Sequence, residues 1–173
     1  MKPTNEPRRS RRATAASHAR GRRRRLDLAL QYAAPRAGLP RRASVAAWMV
    51  AALARPAAVT VRFVGREEGR QLNHDYRGRD YATNVLTFAY GRTPSGALAG
   101  DIVLCAPVVA REARAQGKLL RAHYARLTVH GTLHLQGYDH ERAADAARME
   151  RREARILTRL GFEDPYREVE VQR

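Results

Sequence analysis

Four of the six histidines of this chain lie between positions 123 and 140, in a stretch that ends LTVHGTLHLQGYDH. His130 and His134 are four residues apart, so on a helix their rings project from one face at a separation that suits one zinc ion. Gly137 allows the backbone to leave the helix, because glycine adopts the left-handed conformation without a Cβ penalty. His140 can then return to the same point and supply a third nitrogen.

Three histidine ligands leave one coordination position of zinc open for water, which is the mark of a catalytic rather than a structural ion. A single histidine on an apolar helix face is more often a hydrogen-bonded core residue, but three at this spacing favour a metal site. His123 is too far along the helix to reach the same ion, and we expect it behind the ligands or in the core. Cys105 ends an apolar strand and is predicted to be a buried small hydrophobe.

The same histidine spacing occurs in a long zinc-peptidase motif, whose first histidine is followed directly by a glutamate that acts as general base. Gly131 occupies that position here. Peptide hydrolysis by that route is therefore not expected, although the predicted helix that bears the histidines is zincin-like.

A second candidate cluster is the segment NHDYRGRDYATNVLTF at 73–88. Arg77 and Arg79 flank Gly78 in a predicted loop, where their planar guanidinium groups suit phosphate oxygens and the peptide groups at Gly78 could approach a ligand. The other interpretation is a helix end, a solvated turn and the start of a strand, with the polar residues in turn and capping roles.

Hydrophobic periodicity predicts the elements that must position these residues. The predicted strands cover 26–32, 59–65, 84–90 and 101–105. The predicted helices cover 43–54, 66–76, 107–116, 118–136 and 141–160. Because strands lead and helices finish, the expected fold class is α+β, a small mixed four-stranded sheet packed with about five helices.

The charge of this 173-residue chain is unevenly distributed, with 33 Lys and Arg against 17 Asp and Glu and a net charge of +16. Residues 1–25 hold ten basic residues, one acid and almost no large apolar side chain, which predicts a disordered basic tail. Such a tail suits a solvated extension, a loose anchor on nucleic acid or an organellar targeting segment. Residues 26–173 are predicted to form a single catalytic, metal-binding domain.

The composition also bears on where the protein works. The longest apolar stretch, at 45–54, has ten residues against the roughly twenty that a bilayer-spanning helix needs, so no membrane contact is expected. One cysteine cannot form an internal disulfide, which favours a cytoplasmic location.

The segments YRGRDYATNVLTF, GDIVLC, HGTLHLQGYDH and LGFEDPY occur in the order and at the spacing of the YbeY family of bacterial endoribonucleases, which the chain resembles over about 59–166. The HGTLHLQGYDH segment is highly specific, and the others are supporting. The resemblance implies a mixed four-stranded sheet, one zinc ion bound by His130, His134 and His140, and Arg77 in the active-site cleft. Thr87 stands where the family usually has serine, which keeps the hydroxyl, and the basic tail has no counterpart in the family.

The resemblance further implies a role in 16S ribosomal RNA 3′-end maturation and ribosome quality control. The expected reaction is zinc-dependent cleavage of single-stranded RNA, in which Arg77 neutralises a phosphate oxygen and Arg77 and Arg79 bind substrate. Zinc-bound water and the ribose hydroxyl both remain open as the nucleophile. The expected partners are ribosomal RNA and the small ribosomal subunit, without an obligate protein partner. The alternatives are a non-catalytic ribosome-assembly factor with structural zinc and a zinc peptidase.

Overall fold

The computed structural model describes residues 26–167. This part of the chain contains four strands and five helices, in the order β1 (Leu26–Tyr32), α1 (Arg42–Ala52), β2 (Ala57–Val64), α2 (Arg66–Arg77), β3 (Val85–Arg92), β4 (Leu98–Cys105), α3 (Ala106–Ala115), α4 (Leu120–Leu135) and α5 (Ala143–Arg159). The predicted α+β class is thereby confirmed. The predicted basic tail, residues 1–25, lies outside the described residues.

The four strands form one mixed sheet in the order β1-β2-β4-β3. β1 pairs parallel with β2 and β2 parallel with β4, whereas β3 runs antiparallel to β4 as the outer arm of a hairpin. A backbone hydrogen bond of 2.8 Å from the Thr93 amide to the Ala97 carbonyl closes that hairpin. β3 therefore forms one edge of the sheet, next to the strand from which the chain enters its helical half.

Helix α4 lies in the middle of the main core, and ten of its 16 residues are buried. It contacts α1, α3, α5, β3 and β4, so apolar side chains surround it on most sides. The core that encloses it includes Val45, Met49, Phe63, Ile102, Leu133 and Leu157. A helix packed on most of its circumference is a rigid support for side chains that must keep a fixed separation.

The structure corrects the predicted loop between the last two strands. The predicted strands end at position 90 and begin at 101, but β3 continues to Arg92 and β4 begins at Leu98. Cross-strand pairing includes Gly91 and Gly100, with a register shift between Ala89 and Gly91. The glycines led to a turn prediction because glycine has a low strand propensity. In the structure, the hydrogen bonds between β3 and β4 outweigh that propensity.

The other boundaries lie close to the predictions. β2 begins two residues earlier than predicted, at Ala57, and each helix end lies within two residues of its predicted position. No helix within residues 26–167 is both long enough and apolar enough to cross a bilayer.

Candidate metal centre

The three predicted histidine ligands come together at one end of α4. His130 and His134 occupy its last turns, the chain turns at Gly137 with a φ of +86°, and His140 returns towards them. Potential ligand atoms of the three rings all lie within 4.8 Å of one another, with the Nε2 atoms of His130 and His134 3.1 Å apart. Among the described residues, this group could hold a metal ion.

Hydrogen bonds fix which nitrogen of each helical ring faces the cluster. The Nδ1 of His134 lies 2.8 Å from the carbonyl oxygen of Tyr138, which can only accept, so the proton is on Nδ1. The Nδ1 of His130 lies 2.9 Å from Oε2 of Glu153 and donates to that carboxylate. Both Nε2 atoms therefore present lone pairs to each other, and a cation is the partner that satisfies them together.

The electrostatics of the cluster also fit a metal. Burial, with a smaller contribution from the neighbouring His130, lowers the pKa of His134 to about 4. This ring is consequently neutral at physiological pH, which is the form that binds a metal.

Glu153 is a contributor that the sequence analysis missed. This α5 side chain is fully buried, and its two oxygens accept from His130 and, at 3.0 Å, from Nε of Arg126. A signal was present in the sequence, because Glu153 shares a helical stripe with the apolar residues Met149, Ile156 and Leu157. A carboxylate on an otherwise apolar stripe needs a buried partner.

Both predicted arginines lie in a cleft of about 730 Å³ beside the histidines. The cleft is lined by Asn73, Arg77, Arg79, Tyr81, Thr83, Thr87, Ala89, His134, Asp139, His140 and Glu141. Arg77 forms no ion pair with any residue in 26–167. Arg79 donates from Nη1 to the Tyr81 hydroxyl at 3.4 Å. Two separate sequence segments thus form one site.

One detail of the predicted arginine loop is wrong. Arg77 is the last residue of α2 rather than a loop residue, and the Gly78 amide donates to the carbonyl of His74 at 2.8 Å. That amide closes the helix and is not free for a ligand. The loop beyond it is held by the buried side chain of Asn73, whose Nδ2 donates to the carbonyl of Tyr81 at 2.7 Å.

Comparison with known proteins agrees with this geometry. The family model described as "Endoribonuclease YbeY" matches residues 41–161, which contain the cleft and all three histidines. The chain belongs to the YbeY family. Membership confirms the resemblance read from the motifs and the predicted enzyme class, an endoribonuclease.

Relatives in the YbeY family cover most of the chain. A protein from Burkholderia pseudomallei named "Endoribonuclease YbeY" is 59% identical over 155 residues, which are 86% of this chain and 84% of the relative. One of the same name from Ralstonia nicotianae is 57% identical over 146 residues, 82% of this chain and 78% of the relative. A solution structure of a Thermotoga maritima protein, 21% identical, shares the fold with a TM-score of 0.50, covering 83% of this chain and 99% of that one.

The packing at Gly131 separates this YbeY-family site from a zinc peptidase. A Cβ atom at Gly131 would lie 3.1 Å from both the Thr87 hydroxyl and Cγ2 of Ile102. The helix and the sheet are too close there for a longer side chain unless both neighbours move. A peptidase glutamate is absent from the sequence, and one at this position would require the Thr87 and Ile102 side chains to shift.

The YbeY cleft nevertheless contains carboxylates that the motif comparison overlooked. Asp139 and Glu141 flank His140 and line the cleft. Asp139 accepts from the His140 amide at 2.7 Å, which holds the returning segment in place. Their position beside a predicted ligand was the only signal in the sequence.

His123, expected behind the ligands or in the core, and Cys105, expected to be a buried small hydrophobe, are both buried. His123 is 1% exposed and its Nε2 lies 2.8 Å from Oε2 of Glu112, away from the cluster. Cys105 is buried, and burial raises the pKa of its thiol, which disfavours a nucleophilic role.

Proposed function

We propose that the chain is a zinc-dependent endoribonuclease that cuts single-stranded RNA in this cleft, with His130, His134 and His140 as the metal ligands. One observation carries the proposal most: two of the three imidazoles that could hold a metal, His134 and His140, line the same cleft as two arginines suited to phosphate. Zinc fits a set of three neutral imidazoles that leaves a position open. When bound, such an ion supplies Lewis acidity and lowers the pKa of water.

Arg77 is proposed as the catalytic arginine. Its guanidinium group has no ion-pair partner within the described chain, so its donors are available to the nonbridging oxygens of the scissile phosphate. A fixed cation at the position where negative charge develops stabilises the transition state more than the ground state. Arg79, close to Tyr81, is proposed to bind an adjacent phosphate.

Tyr81 supports the preference for unpaired RNA. Its side chain is 53% exposed in the cleft wall and stands next to Arg79. An exposed aromatic ring beside a cation stacks an unpaired base, and each such stack is worth about 1–3 kcal/mol. Bases inside a duplex are already stacked and cannot use that ring.

We further propose that the physiological reaction is 16S ribosomal RNA 3′-end maturation and ribosome quality control in the cytoplasm. The motif resemblance supports this, and a net charge of +16 favours association with a polyanion such as ribosomal RNA in the small subunit. The proposal needs neither a membrane nor an obligate protein partner.

The first experiment incubates metal-loaded and chelated protein with a precursor RNA that carries the small-subunit 3′ end, and with a scrambled single strand of equal length. We expect cleavage only with metal, and faster on the precursor. Mass spectrometry of the new ends identifies the nucleophile, because a cyclic phosphate requires attack by the ribose hydroxyl. Binding without cleavage under every metal condition would favour the non-catalytic assembly factor.

The second experiment tests Arg77 against a matched control, Arg92→Ala, since Arg92 is exposed on β3 and does not line the cleft. Arg77→Ala should lower the cleavage rate by about 10²–10³ with unchanged zinc content and unfolding midpoint. Arg77→Lys should restore only part, because a point charge lacks the planar fork. If Arg77→Ala cleaves RNA at the parental rate, Arg77 has no catalytic role and is only a solvated residue at the end of α2.

A further inference from the structure

Helix α5 carries a stripe of arginines on one side. At 3.6 residues per turn they fall within about 100° of the helix circumference, and no Asp or Glu of α5 falls within that arc. This arginine stripe consists of Arg148, Arg151, Arg152, Arg155 and Arg159. All but the half-buried Arg152 are exposed. From the first to the last, the stripe extends about 16 Å along the helix.

The positive charge of the stripe is not neutralised inside the described chain. None of its arginines forms an ion pair with another residue of 26–167. Arg148 and Arg152 instead lie over the ring of Tyr138, at 5.4 and 5.7 Å from its centroid. The Nε of Arg152 is buried and has no hydrogen-bond partner among these residues. Packed, unpaired guanidinium groups of this kind are available to an anionic partner.

The stripe begins next to the metal centre. Tyr138, which lies against its first arginines, accepts from Nδ1 of His134 through its carbonyl oxygen at 2.8 Å. Glu153 of the same helix holds His130 from the other side. Asp139, the residue after Tyr138, lines the cleft, so a chain that leaves the cleft past Tyr138 reaches Arg148 first and Arg159 last.

We propose that the arginine stripe binds the sugar-phosphate backbone of the RNA segment that leaves the cleft past Tyr138. The inference rests on the proposed function, since it takes the cleft as the place where RNA is cut. The partner is inferred from charge complementarity. A linear polyanion that lies along the stripe would contact a guanidinium group at each turn of α5, and no carboxylate of α5 lies within the arc to repel it. The stripe would contribute affinity for long RNA without regard to sequence.

The test neutralises the three arginines of the stripe that have no contact with Tyr138, in the triple variant Arg151→Gln, Arg155→Gln, Arg159→Gln. A control with the same charge change is Arg66→Gln, Arg111→Gln, Arg114→Gln, on α2 and α3, where all three are exposed and without ion pairs in the described residues. Fluorescence anisotropy then measures binding of single-stranded RNAs of about 4 and about 20 nucleotides across a salt series.

The parent should bind the longer RNA more tightly, and the stripe variant should lose most of that gain. Three phosphate contacts at about 0.7 each lower the slope of log affinity against log salt by about 2, and the control should change it by less than 1. Equal changes in both variants, or a parental slope in the stripe variant, would overturn the assignment and leave the stripe to another acidic partner. Failure of the parent to bind or cut any RNA would instead refute the proposed function.

Discussion

Helix α4 carries two histidine–carboxylate pairs seven residues apart, and they differ in what they leave free. His123 contacts Glu112 at 2.8 Å through Nε2, and its Nδ1 is buried without a hydrogen-bond partner among the described residues. His130 contacts Glu153 at 2.9 Å through Nδ1 and directs Nε2 at His134. The same two residue types thus play different roles. The His123–Glu112 pair, the closed pair, is a structural link within the core. The His130–Glu153 pair, the open pair, leaves a ring nitrogen free to bind a metal in the open site.

The partners of the two carboxylates sharpen the contrast. Glu112 also accepts from the neutral amide of Asn84 at 2.9 Å, and so ties α3 to the start of β3. Glu153 accepts from the cationic Arg126 as well as from His130, and so ties α4 to α5 behind a ring that points at His134. A histidine beside a carboxylate is therefore a sign of chemistry only when its second nitrogen reaches an accessible site.

The largest effect should come from removing a ring of the open site. His134→Ala should abolish stoichiometric metal binding and RNA cleavage together, because the single remaining helical histidine cannot hold the ion with His140. Metal analysis of the purified variant measures this. A variant that kept one metal per chain would contradict the ligand assignment.

A smaller effect on metal binding is expected from Glu153, which contacts the ligand His130 but not the metal position. Glu153→Gln removes the carboxylate charge but keeps the shape, so metal affinity should fall about 10–100-fold, measured by competition with a chelator. The matched control is Glu112→Gln, which makes the same change in the closed pair and should leave metal affinity at the parental value. Equal losses in both variants would show that the two pairs are not functionally distinct.

The smallest effect should appear in stability alone. Glu112→Ala leaves the buried Nε2–H of His123 and the amide of Asn84 without their acceptor, which should lower the free energy of unfolding by about 1–3 kcal/mol. Denaturant unfolding measures it, with the exposed Glu150→Ala on α5 as the control. Metal content should not change. A clear loss of metal would contradict the claim that the His123–Glu112 pair is only structural.

Local patterns predicted much of this molecule. The i, i+4 histidines, the glycine turn and the returning His140 follow from helix geometry within eleven residues. Hydrophobic periodicity likewise located the strands and the helices. Where cross-strand hydrogen bonds decided the outcome, as at Gly91 in the β3–β4 hairpin, propensity misplaced the strand ends.

Long-range partners could not be predicted in this way. Glu153 reaches His130 across 23 positions, and Arg77 at the end of α2 shares a cleft with His134 and His140. No periodicity encodes such meetings, since they depend on how helices and strands pack. The buried charge of Glu153 was visible as an anomaly on α5, but its partner was not.

The close contact at Gly131 bears on how one histidine motif can serve two chemistries over evolutionary time. A glutamate there would complete the peptidase motif by a single change in sequence, yet the wall formed by Thr87 and Ile102 meets any Cβ at 3.1 Å. The replacement requires the Thr87 and Ile102 side chains to give way by a few tenths of an ångström, or smaller residues in their places. In evolutionary terms, a change from one motif to the other is coupled to the packing of α4 on the sheet, so we expect a glutamate at position 131 to occur together with changes at positions 87 or 102.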